Sequence, residues 1–239
     1  MRSHPSKRGG HRAKPIALAL TAALLMPAAA AQAESTGFGS PYVSLQVGAS
    51  FLNDSDASNS GSLNVRDATY DTGPAIGVTA GYTLPDVPGA NLRLRPELAV
   101  SYQRNEFDEV TNALALGPGL VTSSADGHMD SLNVLANLWL DYDVPGSRFA
   151  PYIGGGIGPS HVWVDDFASA TSNIADDSDL VLTGQLGTGV AYEVVEDIEL
   201  TTDYRYRASR DVDVTTVRGN PLSLEREGHT LSLGVRYHF

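Results

Sequence analysis

The 239-residue chain contains no cysteine, which excludes disulfide frameworks, zinc–thiolate centres and thiol nucleophiles. It has no lysine after Lys14. Beyond the first 33 residues, eleven arginines face all 28 acidic residues, a net charge of −17 against −12 for the whole chain. So acidic a chain is unsuited to nucleic acid, which is held by displacing counterions with basic side chains. Long apolar runs are also missing. The longest, Pro15–Pro27, spans 13 residues, short of the roughly 20 that a membrane-crossing helix needs.

The basic residues of the first 33 positions are Arg2, Lys7, Arg8, Arg12 and Lys14, and no acid accompanies them. The apolar segment follows, then Ala28–Ala33, in which Ala31-Gln32-Ala33 fits the small-x-small rule for cleavage. Basic, apolar and small-residue regions in this order predict a secretory signal peptide over 1–33. The mature protein would begin at Glu34, with a short lead-in over 34–40 and one domain over 41–239. An exported chain without cysteine suits a bacterial envelope.

From residue 40 onward the apolar residues alternate with period two, not at helical spacing. Val43, Leu45, Val47, Ala49 and Phe51 share one face, with Ser44, Gln46, Gly48 and Ser50 on the other. The pattern returns over 72–84, 92–103, 129–142, 151–163, 180–194, 198–207 and 230–239, predicting eight strands. Each is close to the 9–11 residues with which a tilted strand crosses a bilayer. The connections 53–71, 105–128, 165–178 and 209–227 are long, whereas 85–91, 143–149 and 195–197 are short. An even strand number with long loops on one side is the plan of an outer-membrane barrel: all-β, eight-stranded, antiparallel and up-and-down. The long segments are expected to be extracellular loops.

A soluble lipocalin-like barrel would share the strand number but turn its apolar face inward. Three features favour the membrane. Aromatic residues on the apolar face gather at the strand ends: Tyr82, Tyr142, Tyr192, Tyr237 and Phe239 at one rim, Phe51, Tyr102, Trp163, Tyr204 and Tyr206 at the other. The apolar faces carry no charge, and charged residues are confined to the opposite faces. The chain ends Leu231-x-Leu233-x-Val235-x-Tyr237-x-Phe239, which resembles the C-terminal signal by which outer-membrane barrels are recognised for assembly.

With Tyr42-Val43-Ser44-Leu45-Gln46-Val47-Gly48, Pro151-Tyr152-Ile153-Gly154-Gly155-Gly156-Ile157-Gly158, Asp203-Tyr204-Arg205-Tyr206 and Val235-Arg236-Tyr237-His238-Phe239, residues 40–239 resemble the small outer-membrane β-barrels of the OmpA/OmpX and opacity-protein type. The resemblance implies an outer-membrane location and contact with lipid, lipopolysaccharide and the assembly machinery. It leaves function open, because members act as adhesins, membrane stabilisers or minor pores. With the sequence ending at Phe239, no periplasmic domain is expected after the barrel, unlike full-length OmpA.

The expected lumen holds Arg93, Arg95, Glu97, Gln103, Asn137, Trp139, Tyr152, Gln185, Asp203, Arg205 and Arg236, with the larger side chains leaning toward glycines opposite. It reads as a salt-bridged plug, with a narrow polar path as the alternative. No catalytic, cofactor or metal site is expected. Of the histidines His128, His161, His229 and His238, none precedes a serine at the interval used by outer-membrane deacylases; Ser232 after His229 falls on the lumen face. The long connections and the strand ends flanking them hold 18 of the 28 acids, including Asp165, Asp166, Asp176 and Asp177, opposed there by Arg66, Arg104, Arg210, Arg218 and Arg226. The acids keep these segments solvated, or hold calcium through carboxylate oxygens; the arginines could meet lipopolysaccharide phosphates. The apolar patch 113–121 predicts a fold-back contact or a protein partner. The expected role is a barrel displaying acidic loops for surface interaction, adhesion or envelope integrity. A passive pore and a lipid A-modifying enzyme are the alternatives.

Overall fold

The computed structural model describes residues 39–59, 65–113, 120–169, 172–215, 221–224 and 226–239. The leader, the start of the lead-in and most of the patch 113–121 lie outside them. Eight strands form a closed antiparallel ring in the order β1 (Ser40–Leu52), β4 (Gly73–Thr83), β5 (Leu92–Ala113), β6 (Leu120–Tyr142), β7 (Phe149–Ser169), β8 (Ser172–Val195), β9 (Ile198–Ser209) and β12 (Glu227–His238). The ring closes where β1 pairs with β12, from Tyr42 opposite His238 to Leu52 opposite Gly228. The Phe239 N–H donates to the Pro41 carbonyl at 3.0 Å, tying the end of β12 to the start of β1. No sheet edge is left in the membrane-spanning part, which a strand structure in lipid requires.

The three short turns fall where alternation places them, at 84–91, 143–148 and 196–197. The first and third use residues in the left-handed region, Asn91 (φ 51°) and Asp197 (φ 69°), and Gly89 and Gly146 supply the others. The exterior of the ring is apolar. Leu45, Val47, Leu138, Ile153, Ile157, Leu186, Leu233 and Val235 all point outward and are exposed. Tyr82, Tyr142, Phe149, Tyr192, Tyr237 and Phe239 girdle the short-turn rim, and Phe51 and Tyr204 lie toward the other. This is the surface of a barrel solvated by lipid.

Among the described residues, the long connections are in large part strands and not loops. β5, β6, β7 and β8 run for 22, 23, 21 and 24 residues, about twice what the bilayer requires. The expected loops 105–128 and 165–178 are in large part the continuation of these hairpins. The connections 53–71 and 209–227 also form strands: β2 (Ser55–Asn59), β3 (Val65–Tyr70), β10 (Val212–Thr215) and β11 (Pro221–Leu224). These four pair in the order β10–β11–β2–β3 and join the upper half of β5 through β3. On the other side the Asp213 N–H donates to Asp179 Oδ2 of β8 at 2.9 Å. The small strands therefore stand above the shorter β9, β12, β1 and β4, so that the barrel wall continues beyond the membrane all round.

The reason for the extension is visible in the side chains. Within the membrane the apolar residues face out. Above it they face in: Ala68, Phe107, Ala125, Met129, Val162, Val164, Val181, Val212 and Leu224 form one buried cluster, with Leu52 and Tyr70 packed against it. Ile153 and Ile157 lie on the lipid side of β7, whereas Val162 and Val164 of the same strand are fully buried. Water outside the upper wall makes an inward apolar core favourable, just as lipid outside the lower wall makes an outward one favourable. Irregularities in pairing at Glu106/Glu109, Asp126/His128 and Val164/Phe167 fall in this upper region.

Two measurements test this division. Leu186→Arg, on the lipid face, should cost about 2–4 kcal/mol of folding free energy into bilayers. Phe107→Ala should instead loosen the upper tier by about 3–5 kcal/mol. Limited proteolysis should then cut 53–71 and 209–227 while the membrane-embedded fragment survives.

Candidate functional site

The lumen is the most organised part of the molecule. All the residues expected there face inward, and all but Arg93 are buried; Arg93 lies half-buried at the periplasmic rim beside Asp143 and Asp86. At the centre is Glu97. Its Oε1 accepts hydrogen bonds from Asn137 Nδ2 (3.0 Å) and Trp139 Nε1 (3.2 Å). Its Oε2 accepts from the Tyr42 hydroxyl (2.8 Å) and Arg95 Nη1 (3.2 Å). Arg95 in turn grips Asp141 with Nε and Nη2 at 2.8 and 3.1 Å. The bidentate geometry needs a guanidinium; an ammonium cannot reproduce it.

Aromatic rings complete the layer. The Arg95 guanidinium lies 5.3 Å from the Tyr42 ring and 5.1 Å from that of Tyr152. Arg205 sits 5.1 Å from Trp139 and bonds Asp203 at 3.1 Å. Arg236 sits 5.2 Å from Tyr42 and bonds Glu199 at 2.6 Å. These rings fit because glycines face them. A Cβ on Gly81 would meet the Tyr42 hydroxyl at 2.7 Å, one on Gly154 would meet Trp139 at 2.7 Å, and one on Gly189 would run into the Tyr152 ring. The lean of large side chains over glycines, expected from the sequence, is what the lumen shows.

Above this layer the network consists of neutral side chains and the two arginines Arg207 and Arg226. Gln185 donates to Asn137 Oδ1 (2.6 Å) and accepts from Arg207 Nε (3.0 Å). Gln103 donates to Thr230 (2.7 Å), and Ser160 donates to Asn133 (2.6 Å). At the top, Asn105 donates to the backbone carbonyls of Ser50 and Asp71, both at 3.0 Å. The apolar cluster of the upper tier lies over it. Two spaces remain in the upper lumen, of about 20 and 10 Å³, each enough for a single water.

One expected rim residue is misplaced by the sequence reading. Arg226 does not face lipopolysaccharide; it is buried, and its Nη2 donates to Ser131 (2.8 Å) and Gln103 (3.3 Å) inside the barrel. Burial pushes its guanidinium down, to about 10. Inward alternation beside Leu224 and Gly228 could have signalled this; the acidic neighbours Glu225 and Glu227 disguised it as a loop arginine. Arg104 is also engaged, with Nε and Nη2 both 2.7 Å from Asp130. Tyr42, the ring that two arginines share, is a lumen residue that the sequence reading did not name.

On the outer face near the upper girdle, His128 Nε2 lies 3.7 Å from Asp130 and 3.6 Å from Asp165. The three could hold a metal ion, though Asp130 is already neutralised by Arg104. Asp165 lies beside His128; of the cluster expected with Asp166, Asp176 and Asp177, the side chains of Asp166 and Asp176 lie outside the described residues. Ser232 is buried in the lumen while His229 faces outward, its Nδ1 2.7 Å from the Tyr204 hydroxyl. The two cannot act as base and nucleophile.

Removing the central carboxylate should show how far the network depends on it. Glu97→Ala leaves the buried donors of Tyr42, Asn137 and Trp139 without their acceptor and takes one of its two carboxylates from Arg95, and should cost about 3–5 kcal/mol in denaturant unfolding from micelles.

Neisserial surface protein A is 24% identical over 85% of this chain and 98% of its own, with a TM-score of 0.47. OprG of Pseudomonas aeruginosa is 16% identical, covering 84% and 97%, with a TM-score of 0.53. The outer membrane protease OmpT of Escherichia coli is 8% identical, covering 87% and 99%, with a TM-score of 0.54. No curated protein matches by sequence. The profile of the outer membrane protein beta-barrel domain matches residues 16–239, and the chain belongs to that family of outer-membrane barrels.

Proposed function

We propose that this outer-membrane protein is a non-conducting, non-catalytic anchor that presents a rigid acidic wall at the cell surface, for adhesion or surface contact and for envelope integrity. The observation that carries the reading is the double closure of the barrel. A hydrogen-bonded polar layer fills the lumen, an apolar core covers it, and the two spaces described in the upper lumen are only about 20 and 10 Å³. What remains to interact with other molecules is the outside of the upper tier. There Asp54, Asp71, Glu106, Asp108, Glu109, Asp126, Asp211 and Asp213 are all exposed. A wall of one charge sign selects partners by electrostatic complementarity.

The partners proposed are a basic extracellular or host surface, and lipopolysaccharide around the girdle. The C-terminal Phe239, exposed on the lipid side and edge-on to Tyr237 at 5.0 Å, is proposed as the feature read by the assembly machinery. OmpT is by name a protease, but at 8% identity the likeness extends to the fold alone.

Two experiments test the proposal. Purified protein in planar bilayers should give a flat current trace; resolved unitary steps would show that the lumen opens and sink the anchor reading. Replacing Glu106, Asp108 and Asp126 by serine should lower attachment of expressing cells to a cationic surface severalfold, with unchanged protein in the membrane. Equal attachment, together with unaltered detergent sensitivity of a deletion strain, would remove both arms of the role.

A further inference from the structure

We infer that the upper lumen binds a small monovalent anion of halide size between the guanidinium groups of Arg207 and Arg226. Every other buried arginine of the lumen has a carboxylate beside it. Arg95 has Asp141 and Glu97, Arg205 has Asp203, and Arg236 has Glu199, all within 3.2 Å. Arg207 and Arg226 are as deeply buried, yet among the described residues they donate hydrogen bonds only to neutral oxygens; Asp203, which acts on Arg207 through space, is already bonded to Arg205. Arg207 donates to Gln185 and Thr230, and Arg226 to Gln103 and Ser131. The buried Nε of Arg226 has no hydrogen-bond partner.

The two arginines line one space of about 10 Å³, together with Ser50, Gln103 and Thr230. A guanidinium does not shed its proton near neutral pH, so neither charge can be removed by deprotonation, as a buried lysine's would be. Two like charges in a water-poor interior call for a counter-charge. The protein places its acids elsewhere, in the lower lumen and on the upper wall. Thr230 Oγ1 already accepts hydrogen bonds from Gln103 Nε2 (2.7 Å) and Arg207 Nη1 (3.2 Å). Its own proton therefore remains available to an anion. The space is too small for sulfate or phosphate, and the apolar cluster above it restricts exchange with solvent. The anion would join β9, the segment entering β12 and the β5–β6 wall by charge.

This inference does not depend on the proposed surface role. Wild-type crystals grown in sodium bromide and measured at the bromine edge should show an anomalous peak in contact with both guanidiniums. Oxygen-like density without anomalous signal would mean that a water occupies the space and would overturn the inference. In micelles, the wild-type unfolding midpoint should be about 2–4 °C higher in sodium chloride than in sodium gluconate at equal ionic strength. The difference should vanish in Arg226→Gln. Identical wild-type midpoints in the two salts would count against the site even if the variant failed to fold.

Discussion

The structure depends on one buried carboxylate. Glu97 sits in a lumen closed to bulk water and accepts four hydrogen bonds from Tyr42, Arg95, Asn137 and Trp139. Burying a charge is tolerable only when its lone pairs are satisfied and an opposite charge is close. Each donor then imposes its own demand. Arg95 needs Asp141 to share its fork. Trp139 and Tyr152 need glycines opposite, and Arg205 and Arg236 stack on the same rings. The abundance of glycine, the choice of arginine and the placement of aromatics in the lower barrel follow from holding this group inside.

The second constraint is that the wall stands in two solvents. In lipid an unpaired strand edge is prohibitive, and the eight-strand ring removes it. In water a tall hairpin pair would leave its inner apolar face uncovered on the side where β9, β12, β1 and β4 stop. The four small strands complete that side, and Val212 and Leu224 contribute to the core they help to enclose. The described parts of the long connections, expected to be loops, are structural members of the upper barrel.

The membrane barrel was legible because its pattern is strict: period two, aromatic ends, no charge on one face. The short turns were correct to within about a residue, and the lumen roster followed from parity alone. The upper tier was not legible for a physical reason. Beyond the girdle the apolar residues move to the other parity, as from Ile153 and Ile157 to Val162 and Val164. A reader following one face sees the pattern stop. Arg226 was missed in the same way, because its sequence neighbours are acidic and its spatial neighbours, Gln103 and Ser131, lie far away along the chain. The grouping of His128 and Asp130 with Asp165 depends on the register between β6 and β7, which composition does not give.

The change of parity also fixes the height of the molecule. A uniform apolar cylinder could ride up or down in a bilayer at small cost for each ångström of mismatch. Here a downward shift would carry Glu106 and Asp108 into the acyl chains, and an upward one would lift Ile157 and Leu182 into water. The wall acts as a graduated float: its waterline is written into each tall strand, and the acidic tier is held at a set distance above the lipid headgroups.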